Sequence, residues 1–309
     1  MHSHHHPTTG KRLQLSLLAT LLFVVVEFIA GLQAHSLALL SDAGHNFTDA
    51  LSLLLAWFAF FVEAKPPSET KTYGYQRAGV LAAFVNALAL ALLAGFIFYE
   101  SYRRLGNPQE VSERIMIWVA FAGLAVNLGV MFGLRAASRS DINIRSAFVH
   151  MLGDAVSSAG IIIGGFIIAW TGYHWIDPLL SIFIGLLILW TAWDIIKESL
   201  NILLEGLPRN LRLETVIGAM RGVPGVIDVH DVHIWSLGSA SHALSSHVMI
   251  EDLPPSSSES TLRSINEVLE ARFHITHTTI QFEHALCPIS ENGCAVVPHE
   301  HEHAEHEHR

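Results

Sequence analysis

Two pairs of ionisable residues stand where an apolar chain has little reason to keep them. His45 and Asp49 lie four apart in "SLALLSDAGHNFTDALSLLLAWFA", and His150 and Asp154 lie four apart in "FVHMLGDAVSSAGIIIGG". Four residues make about one helical turn, so each pair projects from one face of its helix. Two such helices packed face to face would gather two imidazoles and two carboxylates, the donor number and chemistry of a tetrahedral Zn2+ site. An Asp in a membrane-spanning helix costs about 2.5–3.5 kcal/mol even on a lenient insertion scale. A divalent cation offsets that cost: the carboxylates balance its charge, and neutral imidazoles supply borderline-soft nitrogen. One pair alone reads as interhelical polar glue, with His and Asp hydrogen-bonded across a packed interface. Matched pairs in separate apolar stretches favour metal. Because the ligands must be deprotonated, protonation weakens metal binding. A site facing each side of a membrane in turn would then link metal movement one way to proton movement the other, with histidine titrating near neutral pH.

The elements that must hold these residues follow from composition. Of 309 residues, 51% are hydrophobic and 15% charged, against roughly 25% charged in an ordinary soluble domain. A lipid bilayer is therefore the expected surrounding, and no basic run of the kind that grips nucleic acid is present. Six apolar segments, near 13–32, 37–62, 78–99, 115–134, 146–170 and 177–196, reach the roughly 20 residues a transmembrane helix needs. The two pairs fall in the second and fifth. An even number of spans puts both termini on one side. Lys11, Arg12, Lys65, Lys71, Arg77, Arg135, Arg139, Arg145 and Lys197 share that side, while Arg103, Arg104 and Arg114 lie opposite. Basic residues favour the cytoplasm, so both termini are expected there. In "WIDPLL", Asp177 suits a helix N-cap and Pro178 the first helical position. Glu27 either lines a cavity or bonds a neighbouring helix.

Around residue 200 the pattern changes to that of a small α+β domain. "RNLRLETVIGAMRGV" has helical spacing, "VIDVHDVHIWSLG" and "ASHALSSHVMIED" alternate like hairpin strands, "STLRSINEVLEARF" is a second helix and "THTTIQFEH" a third strand. The order αββαβ places helices on one face of a small sheet. Its strands carry His230, His233, His247, His277 and Glu283. Alternation puts His277 and Glu283 on one face, neighbouring strands could bring His230 and His247 beside them, and spacing makes His277 a candidate ligand of this cluster. The chain thus divides into a His-rich start (1–10), a membrane domain (11–200), a connector (201–208), a metal-binding domain (209–287) and a His/Glu-rich tail (288–309) expected to be disordered. "HSHHH" is native metal-binding sequence or the remnant of a tag. The tail either concentrates zinc or is simply tolerated. Cys287 and Cys294 are no disulfide framework and lack the spacing of a zinc knuckle.

The quoted stretches of the second and fifth spans, together with "WIDPLLSIFIGLLIL", resemble the cation diffusion facilitator family of zinc transporters over roughly residues 11–287. The resemblance implies six transmembrane helices, a ferredoxin-like cytoplasmic C-terminal domain, a homodimer, and exchange of Zn2+ for protons across a bacterial inner or plasma membrane. It implies a transport site of His45, Asp49, His150 and Asp154, a set that favours zinc with cadmium or cobalt tolerated. It also implies cytoplasmic ligands His230, His247 and Glu283, with Gln281 where some relatives have a further His. No cofactor is implied; zinc is cargo and regulator. Gln76 stands where many relatives carry a histidine of a second, loop-borne metal site, and a neutral amide is a poor zinc ligand. Arg77 resembles a basic position paired in relatives with an acidic residue after the sixth helix, and Glu205 fits that partner. Two other classes remain open on sequence: a membrane-embedded metalloenzyme, against which stands the lack of an HExxH motif or a further catalytic group in the spans, and a sensor that binds metal without moving it.

Overall fold

Within a bilayer every backbone N–H and C=O must be satisfied inside its own segment, and long apolar runs without internal proline satisfy them as helix. The computed structural model describes residues 7–134, 142–238, 241–252 and 254–285. Six long helices come first: α1 (Pro7–Ala34), α2 (Leu37–Glu63), α3 (Ala78–Gly106), α4 (Glu113–Leu134), α5 (Ile142–Thr171) and α6 (Ile176–Leu203). Among the described residues five are long and apolar enough to cross a membrane, and the described part of α1, Leu21–Ala34, is a shorter apolar helix. Their outer surfaces are covered with large apolar side chains, Trp170 being 91% exposed and Trp118 and Trp190 also exposed. In water such a surface would aggregate; in lipid it is solvated.

The chain divides into two compact units, Met1–Val62 with Leu81–Ser199, and Glu63–Val80 with Leu200–Arg309. The first is built around Leu39, Leu90, Ile97, Met116, Ile161 and Ile188, one or more from each of α2 to α6. Small residues let these helices approach closely: a Cβ on Gly164 of α5 would collide with Leu180 Cδ1 of α6.

The second unit has α7 (Leu213–Arg221), β1 (Val226–Ser236), β2 (His242–Ile250), α8 (Pro255–Phe273) and β3 (Ile275–Glu283). The strands lie in the order β1-β2-β3, β1 antiparallel and β3 parallel to β2. Val216 and Met220 of α7 and Ile265 and Leu269 of α8 pack with Leu244 and Val248 of β2, so both helices cover one face and leave the other open. This is the expected αββαβ arrangement. Residues 63–80, the 2–3 loop, fall within this compact unit. There Ser241 donates to Gln76 Oε1 at 3.1 Å, and Tyr73 stands edge-on to the His277 ring.

One expectation about local structure needs correction. Asp177 does not serve as the N-cap of its own helix. It lies inside the first turn of α6, and its carboxylate reaches the start of α2 instead. It accepts hydrogen bonds from Ser36 Oγ at 2.6 Å, Leu37 N at 2.7 Å and Ala38 N at 3.3 Å. The first N–H groups of a helix have no intrahelical acceptor and carry its positive dipole end, so a buried carboxylate is well matched to them.

Candidate metal centres

Helix α2, held at its first turn by Asp177, presents His45 and Asp49 one turn apart. His45 Nε2 lies 3.5 Å from Asp49 Oδ2 and 3.6 Å from Asp154 Oδ1 on α5. Asp154 is buried and the other two are half-buried. A tetrahedral Zn2+ with bonds of about 2.0 Å spaces its donors about 3.3 Å apart, close to these separations. His150 stands one turn before Asp154 on α5, and its side chain lies outside the described residues. Nearby side chains fix the helices in register. Ser157, one turn after Asp154, donates to Asp42 Oδ1 at 2.9 Å, and Asn46, next to His45, donates to Glu27 Oε2 of α1 at 3.1 Å. Glu27 therefore bonds a neighbouring helix, which decides the question its sequence left open.

The second centre lies on the open face of the small sheet. His230 of β1 is paired across the ladder with His247 of β2, whose other neighbour on β3 is Gln281, two residues before Glu283. Glu283 reaches both imidazoles, Oε2 at 3.2 Å from His230 Nε2 and Oε1 at 3.0 Å from His247 Nδ1. His230 Nε2, His247 Nδ1 and Glu283 Oε2 are buried and none makes a hydrogen bond. Three donors aimed at one another without hydrogen-bonding geometry fit a cation that would order them, and all three lie within 4.8 Å.

Two further carboxylates, not singled out from sequence, stand behind these rings. Asp228 Oδ2 is 3.7 Å from His230 Nδ1, and Asp231 Oδ2 is 3.7 Å from His247 Nε2. A carboxylate behind a ligating imidazole fixes its tautomer and raises its basicity. Asp228 is itself held by Arg221 at 2.6 Å. Asp231 owes its place to a bulge: between the pairs His230–His247 and His233–Ser245, β1 has one residue more than β2, and Asp231 takes φ 49°. Asp tolerates this left-handed conformation better than most residues. The bulge also keeps His233 on the open face with His230 despite their odd spacing, where it meets Asp231 Oδ1 at 3.1 Å. The alternation of Asp and His in "DVHDVH" was the available signal for both carboxylates.

His277 does not join this group, which corrects the sequence-based choice of a fourth ligand. It shares a face with Glu283, but six residues of strand separate them by about 20 Å, and its ring lies 5.2 Å from that of Tyr73. The proposed charge partners do meet: Arg77 Nη2 is 3.3 Å from Glu205 Oε1 and also donates to the Ser236 carbonyl at 3.3 Å. Glu205 is largely exposed, and such a surface pair contributes little, about 0–1 kcal/mol. Cys287, Cys294, the tail histidines and "HSHHH" lie outside the described residues.

Comparison with known proteins adds a second line of observation. Residues 13–204 match the cation efflux transmembrane domain, and residues 208–285 match the cytoplasmic domain of cation efflux proteins. The chain is 38% identical over 285 residues to the cadmium, cobalt and zinc/H(+)-K(+) antiporter of Bacillus subtilis (strain 168), covering 91% of both. It is 39% identical over 310 residues to the zinc transporter ZitB of Pectobacterium atrosepticum, covering 99% of this chain and 95% of the other. Among solved structures it is similar to the metal-bound C-terminal domain of the CzcD transporter from Cuprividus metallidurans, with 36% identity, 24% of this chain and 99% of that chain covered, and a TM-score of 0.22.

Proposed function

The chain belongs to the cation efflux family, and from that premise we propose that it exports Zn2+ from the cytoplasm in exchange for protons, by alternating access, as a homodimer. Membership makes it a multi-pass membrane transporter of metal cations and not an enzyme. The choice of zinc, with Cd2+ and Co2+ as further cargo, is supported by the names of the relatives and by the donor set, since imidazole selects for softer dications than carboxylate alone.

One observation carries the proposal. Two carboxylates from different helices, Asp49 and Asp154, converge on one imidazole nitrogen inside a helical unit whose surface is apolar. With His150 as fourth ligand, two negative charges neutralise the dication, so the loaded site carries no net charge into the low-dielectric interior. Protons compete for the same atoms, which supplies the exchange. His230, His247 and Glu283 are proposed to bind a second, regulatory zinc outside the membrane, with Asp228 and Asp231 orienting the imidazoles. Both termini are proposed to lie in the cytoplasm of a bacterial cell, and the Arg77–Glu205 pair is proposed to tie the 2–3 loop to the end of α6 within the C-terminal unit.

Purified protein in sealed proteoliposomes tests this directly. An imposed pH gradient is expected to drive accumulation of Zn2+, Cd2+ and Co2+ but little Mn2+, and Asp49→Ala or Asp154→Ala is expected to abolish it. Wild-type flux in either variant would remove the transport site. Metal binding without accumulation would make the protein a sensor.

A further inference from the structure

The transport site leaves a second set of buried polar side chains unused. Glu27 of α1 and Asp42 of α2 are 0% and 3% exposed. Each already has one donor: the Asn46 amide on Glu27 Oε2 at 3.1 Å and the Ser157 hydroxyl on Asp42 Oδ1 at 2.9 Å. The other Glu27 oxygen, Oε1, is buried with no donor directed at it. Asn46 stands one turn after Asp42 on the same face of α2, so its bond to Glu27 brings the two buried carboxyls close enough to act on each other. An ionised carboxylate has no proton to give, and two ionised carboxylates in contact exclude one another. A single proton between them supplies the missing donor and removes one charge from the apolar interior.

The other charged groups acting on the pair are His45, one turn along α2, and Asp154 of α5. Helix α4, which packs on α1, has no ionisable residue between Ile115 and Leu134, and α3 has none between Ala78 and Phe98. The one basic group shown acting on the pair, His45, already lies against Asp49 and Asp154, so among the described residues a proton is the simplest cation that satisfies the remaining charge.

We propose that Glu27 and Asp42 bind a proton of their own, distinct from those displaced at the metal ligands, and that the transporter carries it in the direction opposite to zinc. The inference rests on the reading of His45, Asp49, His150 and Asp154 as the transport site. With that site empty, one proton joins the two carboxyls. An arriving dication places two positive charges in the same low-dielectric interior, and the proton leaves from a carboxyl oxygen to water on the side then open. Both carboxylates stay ionised until the metal departs on the other side, when a proton from water there returns to one oxygen. Only the O–H bond is broken and remade, and the pair itself carries one proton across for each zinc.

Infrared difference spectroscopy of the full chain in lipid, with Zn2+ alone as the probe, tests the proton site in the wild type. A carboxylic-acid C=O band is expected that disappears when zinc binds and is missing in Glu27→Gln and in Asp42→Asn, each of which replaces the shared proton with a fixed N–H donor. Protons released per zinc bound, from calorimetry in buffers of differing ionisation enthalpy, are expected to fall by about one in each variant. Normalising to bound zinc makes this insensitive to changes in affinity. The proposal is overturned if the wild type has no such band, if the band survives zinc, or if the variants release as many protons per zinc as the wild type. Failure of the underlying transport reading has its own signature: zinc flux in the wild type that ignores a pH gradient.

Discussion

Replacing Asp177 by Ala tests whether the start of α2 is held as the structure implies. Two short bonds, to Ser36 Oγ at 2.6 Å and Leu37 N at 2.7 Å, and a longer one to Ala38 N at 3.3 Å would be lost. Hydrogen bonds to a charged acceptor contribute about 1.5–3 kcal/mol each, so the two short ones account for about 3–6 kcal/mol. The helix dipole adds up to about 2 kcal/mol in buried geometry. Release of a buried carboxylate from its desolvation recovers several kcal/mol. The balance is a loss of about 3–5 kcal/mol, the usual range when one partner of a buried charged contact is deleted. Asp177→Asn keeps a carbonyl acceptor for Leu37 and is expected to lose about half as much. Unfolding of the purified protein in mild detergent by titrated SDS, followed by tryptophan fluorescence, measures both. Zinc affinity of the same samples should fall with stability, because His45 lies two turns beyond the anchored end. A loss below about 1 kcal/mol for Asp177→Ala, or an Asn variant as damaged as the Ala variant, would refute the reasoning.

The remaining predictions concern selectivity, the cytoplasmic centre and pH. His45→Asp makes the described donors all oxygen, so discrimination of Zn2+ against Mn2+ is expected to weaken in competitive uptake. Unchanged selectivity would remove the basis for naming zinc. Glu283→Ala should abolish tight zinc binding by the second centre in a chelator competition, whereas Asp228→Asn should weaken it by about tenfold through the His230 ring. Equal affinity in both variants and the wild type would leave that site without support. His242 is buried beside Ser236, and its imidazole is pushed below the ordinary histidine range by burial and by the nearby His274. The unfolded chain then binds the extra proton. Its contribution is complete above pH ~6.5 and is lost as pH falls from there toward the lowered value. His242→Asn should flatten that part of the stability–pH curve of the full chain, and an unaltered slope would contradict the assignment.

What sequence revealed and what it concealed divide along the range of the interactions involved. The two His–Asp pairs, the apolar segments and the αββαβ order all rest on local periodicity, which the residues state directly. Asp177 reads as an N-cap because its local context, followed by Pro178, is that of a helix start, while its partners sit 139 to 141 residues away. His277 reads as a ligand because alternation fixes the face of a strand but not the distance along it. The bulge at Asp231 depends on one positive φ angle, and without it His233 would point to the opposite face. Glu27 of α1 is bonded to Asn46 of α2, one turn from Asp42, and neither carboxyl alone announces the other. In each case the missing information was a tertiary contact made by a residue whose local role looked complete.

The clasp between α6 and the first turn of α2 gives α2 a pivot. If the helix tilts as a rod, displacement grows with distance from that end. His45 is eight residues along, about 12 Å from the fulcrum, while residue 62 is about 38 Å away. A given angular swing therefore moves the far end roughly three times as far as the imidazole. The ion would ride near the hinge, and the long arm of the lever would sweep the opposite membrane face.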